Sequence, residues 1–243
     1  MALEFNSSEF KDSFCKFYAR FESGALTTDS SGNGHTLTAI SDPAEDASGA
    51  FGGAVALDAD DAYSAVDHAD FRPTGDFTIG AWVNTAVSSA IKCLFQSYST
   101  TDSSKIAGIL LRLNATGKIN LFSGRNTGTV SGTDYLQITG VTDCDDNAGH
   151  FCVGTWDGSY LRIYVDGKLD KAPLAWANAP GYSATTNYIR VGTQCSTGTN
   201  ALFVTGSLDE IVLLNGRVLN DEEIAYLYGV GRKRTKTLLG VGA

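Results

Sequence analysis

Asp29-Ser30-Ser31-Gly32-Asn33-Gly34-His35 follows the aromatic run Phe17-Tyr18-Ala19-Arg20-Phe21, and the fold is read outward from it. Glycine permits positive φ and exposes backbone carbonyls, while Asp and Asn add side-chain oxygens, so the stretch is a tight turn crowded with oxygen atoms. Such crowding suits a hard cation. Near the other end of the chain, Gly206-Ser207-Leu208-Asp209-Glu210-Ile211-Val212 reads as a strand carrying an acidic pair.

Between these two segments, short runs with period-2 alternation follow one another, separated by Gly, Asn, Asp and Ser clusters. About thirteen strands can be drawn, from 15–22 and 35–40 through 77–84 to 207–213. In the run 77–83, Phe77, Ile79, Ala81 and Val83 share one face and Thr78, Gly80 and Trp82 the other. Two useful faces imply a strand in the middle of a sheet. Asp157-Gly158 and Asp166-Gly167 mark consecutive hairpin corners, so three strands form a meander. A helix is expected over 220–228, with Asn220 as cap, Glu223 completing a capping box, and Gly229 as the C′ residue that ends it. The reading is all-β: a two-sheet antiparallel sandwich with one short C-terminal helix.

Composition narrows the class. The chain has 243 residues, 43% of them hydrophobic, which is enough for a full core in a single domain. Eighteen basic residues stand against 27 acidic ones, a formal charge of −9, which disfavours nucleic acid as a partner of the body. The exception is Arg232, Lys233, Arg234 and Lys236, which make residues 230–243 a basic tail. No apolar run approaches the ~20 residues of a membrane span, and the N-terminus has no signal-peptide pattern, so the expectation is a cytoplasmically made chain with no membrane. Five cysteines without metal-like spacing read as free thiols, with a Cys144–Cys152 bridge as the alternative.

Taken in order, the 29–35 turn, Phe51-Gly52-Gly53-Ala54-Val55-Ala56-Leu57-Asp58, Asp76 to Val83, Tyr160 to Gly167, the 206–212 strand and the closing helix resemble the laminin G-like jelly roll of the concanavalin A-like lectin/glucanase superfamily. The resemblance covers roughly 15–229, leaving 1–14 as an arm or extra edge strand. It implies that the first and last strands lie side by side, and that one structural calcium ion ties them. Its ligands would be the carboxylates of Asp29 and Asp209, the carbonyls of Gly32 and His35, and the amide oxygen of Asn33. The competing reading is that Asp29 and Asn33 only form Asx-type turns and Asp209 binds backbone amides.

Hydrolysis of a glycosidic bond needs an acid and a nucleophile or base at fixed separation. Asp209 and Glu210 are adjacent, so a regular strand sends them to opposite faces, and their neighbours are not acidic. His35, His68 and His150 sit in separate segments with no nucleophile motif, and read as loop or strand-edge residues. Catalysis is therefore not expected. Glycan recognition would use the loop aromatics Tyr98, Trp176, Tyr182 and Tyr188, although burial of Trp176 at the sandwich end is the competing fate. Three functions are ranked: a virion-surface protein, such as a phage capsid-decoration, head-fibre or tail-associated protein; a carbohydrate-binding module; and a glycoside hydrolase. In the first, Phe5, Phe10, Phe14 and the four basic tail residues dock onto other virion or surface proteins, and a homo-oligomer is compatible with that role.

Overall fold

The computed structural model describes residues 12–86, 89–99, 105–184, 187–196 and 198–238. In chain order the strands are β1 (Cys15–Ala19), β2 (Thr38–Ile40), β3 (Ala44–Asp46), β4 (Ala54–Leu57), β5 (Ala62–Ala65), β6 (Phe77–Asn84), β7 (Lys92–Ser99), β8 (Ala107–Leu113) and β9 (Lys118–Arg125). They continue as β10 (Tyr135–Asp143), β11 (Gly149–Trp156), β12 (Tyr160–Val165), β13 (Lys168–Leu169), β14 (Leu174–Ala175), β15 (Tyr188–Val191), β16 (Gln194–Ser196), β17 (Thr199–Ala201) and β18 (Gly206–Asn215), before helix α1 (Asp221–Leu238). One sheet runs β13-β12-β11-β6-β18-β4-β3, with β1 also on β18 and β14 on β12. The facing sheet runs β10-β9-β8-β7-β15-β5-β2, and β16-β17 is a separate hairpin. The strands that escaped the sequence reading, β3, β13, β14, β16 and β17, have only two or three residues, too few to show alternation.

Strand β6 lies between β11 and β18, as its two faces imply. Phe77, Ile79, Ala81 and Val83 point into the core between the sheets, together with Phe95, Ile109, Leu111 and Leu121. Trp82 belongs to a second apolar cluster outside the first sheet, with Tyr18, Phe151, Val212, Ile224 and Leu227. The second cluster exists because α1 covers that face. Asn220 caps the helix as expected: its Oδ1 accepts from Glu223 N at 2.9 Å, and Glu223 Oε2 accepts from Asn220 N at 2.9 Å. Gly229 does not end it, because the helix continues to Leu238. The glycines at 229 and 231 weaken helix propensity without stopping the helix here.

All five cysteines are buried free thiols; Cys144 and Cys152 touch without a bond between them. No helix among the described residues is long and apolar enough to cross a membrane. Phe5 and Phe10 lie outside the described residues. Phe14, 44% exposed, is attached at the sheet edge, where its carbonyl accepts from Asn215 N at 2.9 Å.

The 29–35 turn is fastened to β1 by hydrogen bonds. Asp29 Oδ1 accepts from the amides of Tyr18 at 3.0 Å and Ser31 at 2.9 Å, and Oδ2 accepts from Ser31 Oγ at 2.7 Å and His35 N at 3.0 Å. A carboxylate has about four lone-pair sites, and all are engaged. Asn33 Nδ2 donates to the Cys15 carbonyl at 2.9 Å. Asp209 takes the amides of Ala50 at 2.7 Å and Glu210 at 2.8 Å. Asp29 bridges to Ala19 on one side of β1, whereas β18 pairs on the other, so about two strand spacings (~10 Å) separate the two segments. Calcium draws its oxygens to 2.3–2.6 Å. The Asp29 and Asp209 carboxylates are thus held by separate sets of backbone donors rather than gathered with Gly32, Asn33 and His35 at one point, and the Asx-turn reading accounts for the loop's hydrogen bonds.

Asp29→Ala should lower the unfolding free energy by roughly 2 kcal/mol, since several backbone donors lose their acceptor. Urea titration should give the same loss in millimolar calcium and in chelator. A loss that depends on calcium would restore the cation.

Candidate ligand pocket beside the C-terminal helix

Trp82 is the centre of the outer cluster, with its ring stacked on Phe151 at 5.4 Å and on Tyr228 of α1 at 5.6 Å. Beside it opens a cavity of about 340 Å³ lined by Trp82, Asn84, His150, Asp166, Ser207, Asp209 and Tyr228, with Ser48, Gly49 and Ala50 on the loop that joins β3 to β4. That volume lies at the lower end of the range for small-molecule sites. Its wall requires close backbone approach: a Cβ on Gly49 would fall 1.8 Å from the Gly53 carbonyl oxygen and 2.8 Å from Asp209 Oδ2. Trp82 Nε1 is buried and has no hydrogen-bond partner among the described residues.

The acidic pair departs from the regular-strand expectation. Asp209 pairs with Trp82 and Val212 with Gly80, three steps on β18 against two on β6, and Glu210 adopts a positive φ of 50°. This β-bulge turns both side chains to the outer face. Asp209 reaches the amide of Ala50, while Glu210 accepts a hydrogen bond from the hydroxyl of Tyr18, which belongs to the same outer cluster. Burial holds the Asp209 carboxyl well above the usual carboxylate range; the amides of Ala50, Glu210 and Phe51 oppose that rise and the charge of Glu22 adds to it. Glu210 is fully buried, with Arg20 Nε at 3.7 Å from Oε1.

His150 and Asp166 form a charged pair at the pocket. His150 Nδ1 lies 3.0 Å from Asp166 Oδ2 and its Nε2 3.1 Å from Asp146 Oδ1. The bond to Asp166 lifts the imidazole to about 9 against the opposing effect of burial, so it is an imidazolium at neutral pH. Asp166 is presented by the turn into β13, in which it and Gly167 both have positive φ (52° and 78°), the conformation an Asp-Gly hairpin demands.

The pocket thus offers an aromatic wall, an exposed amide at Asn84, hydroxyls at Ser48 and Ser207, and a screened cation. This is a surface for a neutral, hydroxyl-rich ligand. It offers no free pair of carboxyl groups: Asp209 is clamped by two amides and Glu210 is closed off behind Tyr18.

The aromatics expected to bind glycans lie elsewhere, and only Tyr98 and Tyr188 meet. Trp176, 4% exposed, closes the core, donating Nε1 to Ser123 Oγ at 3.3 Å and accepting Trp156 Nε1 on its carbonyl at 2.7 Å. Tyr98 packs edge-on to Phe122 at 5.7 Å. Tyr188 sits opposite Tyr98 in the sheet, with Arg190 over its ring at 5.4 Å. The hydroxyl of Tyr182 is buried. Burial decided the positions of Trp176 and Tyr98. The sequence singles out Asp209, but as a cation ligand; it does not single out Trp82, Asn84, His150 and Asp166, because they are far apart in sequence and only the outward face of β6, with Trp82, hints at them.

Comparison with known proteins agrees with this architecture. No curated protein sequence matches the chain. Among solved structures, domain 4 of AbnA, a GH43 extracellular arabinanase from Geobacillus stearothermophilus determined in complex with arabinotriose, superposes with a TM-score of 0.65 at 15% identity, covering 88% of this chain and 98% of that one. The binding domain of botulinum neurotoxin serotype G gives 0.65 at 19% identity over 89% of this chain. That of botulinum neurotoxin DC, in complex with SialylT, gives 0.62 at 12% over 90%. This chain spans about half of each neurotoxin structure, 51% and 52%. Residues 58–225 match the laminin G-like family described as Concanavalin A-like lectin/glucanases superfamily, and the chain belongs to that family.

Proposed function

We propose that this protein is a non-enzymatic glycan-binding module that takes a sugar in the pocket beside α1. The observation that carries the reading is the pocket itself, a 340 Å³ cleft with Trp82 and Tyr228 on one side and Asn84, Ser207 and the His150–Asp166 pair around it. Sugars present apolar ring faces and many hydroxyls, which is the complement of such a lining. A bound oxygen that reached Trp82 Nε1 would relieve a buried donor left unsatisfied at a cost of ~1–3 kcal/mol. The resemblance to an arabinanase domain complexed with arabinotriose and to a neurotoxin binding domain complexed with SialylT supports a glycan ligand.

A second reading, display on a virion or other particle, is favoured by α1. The helix continues to Leu238, and its last turns carry Arg232, Lys233, Arg234 and Lys236 in the sequence. A basic helix end suits an acidic partner, and an outward-facing sandwich would keep its pocket for glycans. The two roles are compatible.

Titration calorimetry with arabino-oligosaccharides and sialosides tests the first reading. Asn84→Ala, at an exposed position, should leave folding intact and weaken binding about tenfold, the ~1.4 kcal/mol of one hydrogen bond. Equal affinity in the variant would place the ligand elsewhere. No glycan tested should be hydrolysed; turnover that disappears in Glu210→Gln would overturn the non-enzymatic reading. His150 adds a pH signature. Its folded-state value is raised from 6.5 to about 9, so its contribution to stability is fully present below about 6.5 and is lost as pH rises toward 9. Thermal melts of the wild type should fall across that window, and His150→Gln should flatten the fall.

A further inference from the structure

His35 and His68, read from the sequence as unrelated loop residues, meet at a single carboxylate. His35 Nε2 lies 2.9 Å from Asp70 Oδ2, and His68 Nδ1 lies 3.1 Å from the same oxygen. The two imidazole centroids are 5.0 Å apart. Together these three side chains place two ring nitrogens and one carboxylate oxygen within 4.8 Å of one another.

The cluster is held rather than incidental. The backbone amide of His35 is bound by Asp29 Oδ2 at 3.0 Å, and its ring packs on Phe71 at 4.7 Å, leaving the side chain 12% exposed. Asp70 and Phe71 belong to a short 3-10 turn, Ala69–Phe71, anchored by the fully buried Phe71 ring. His68, with its side chain 57% exposed, keeps the site open to solvent.

We propose that His35, His68 and Asp70 form a binding site for a borderline divalent transition metal, with zinc as the best fit. Around an ion with ligands at 2.0–2.1 Å, neighbouring ligand atoms are about 2.9 Å apart in octahedral and about 3.3 Å apart in tetrahedral geometry. The observed 2.9 and 3.1 Å to Asp70 fall in that range, and with the two ring nitrogens within 4.8 Å the three atoms can close on one ion through movement of the exposed His68 side chain. The metal-free arrangement also contains a mismatch. His68 Nδ1 faces a donor, Asp70 N at 3.2 Å, and an acceptor, Asp70 Oδ2 at 3.1 Å, and neither neutral tautomer satisfies both. A cation that takes the His68 Nδ1 lone pair joins that nitrogen to the carboxylate with no proton between them, at the expense of the bond from Asp70 N. Two imidazoles with one carboxylate select zinc, nickel or copper over calcium and magnesium. With three protein ligands, the remaining positions face solvent at His68 and stay open to water or to an oxygen ligand from a partner.

Calorimetry on tag-free, full-length protein stripped with chelator and titrated with zinc chloride at neutral pH tests the site. One zinc per chain with a low-micromolar Kd is expected, and millimolar calcium should not compete. His68→Ala, an exposed change, and Asp70→Asn should each weaken binding at least tenfold while the melting temperature of the metal-free protein stays close to wild type. Cobalt(II) should give d–d bands without the intense near-ultraviolet charge-transfer band of a thiolate, which separates this site from the five buried cysteines. No saturable zinc binding below about 100 µM, unchanged affinity in both variants, or a thiolate band would each overturn the assignment.

Discussion

Everything else in this molecule depends on the pairing of β18 inside the nine-stranded sheet. That strand hydrogen-bonds to β6 along most of its length, to β4 at its start and to β1 at its end, so residues near 15, 55, 80 and 210 meet in one place. Its alternate residues serve two apolar clusters: Leu208, Ile211 and Leu213 enter the space between the sheets, and Val212 and Leu214 face outward beneath α1. Pairings of such long sequence separation carry a large loop-closure cost before any contact rewards them. Burial on both faces of the strand offsets it.

The same strand shapes the cleft beside α1 by breaking its own regularity. One extra residue at Glu210 swings two carboxyl side chains to one side, and the chain compensates with the hydroxyl of Tyr18 and the amide of Ala50. A non-glycine residue at φ 50° is retained where surrounding packing over-determines it, and such positions gather at functional sites. The bulge also leaves room between β18 and the 48–53 loop, where the cleft lies. The acids thereby become structural, and the polar character of the cleft passes to Asn84, Ser207 and the His150–Asp166 pair.

The fate of the aromatic residues follows one rule. Rings that can reach the space between or just outside the sheets are taken there, which is why Trp176 closes the core and Tyr98 packs on Phe122. A ring becomes available to a ligand only where the cover is incomplete, as at Trp82, whose neighbour on one side is a helix rather than another sheet. Polar side chains obey a parallel rule. Asp29 takes the backbone donors of Tyr18 and His35, which the turn and β1 bring within reach.

What the sequence determined by itself was everything that follows from local periodicity and turn chemistry. The two faces of β6, the Asp-Gly corner at Asp166-Gly167 and the Asn220–Glu223 capping box are short-range properties of consecutive residues, and they stand in the structure as read. The helix end was not legible, because Gly229 permits a C′ turn without requiring one. Tertiary structure alone decided the sites. Strict alternation sends Asp209 and Glu210 apart, and only register against β6 inserts the bulge that brings them to one face. His35 and Asp70 are 35 residues apart, and His150 and Asp166 are 16 apart; no pattern within either segment encodes the other. Such groups meet because the sandwich brings their backbones together, and a chain read residue by residue carries no distance between them until the strands are paired.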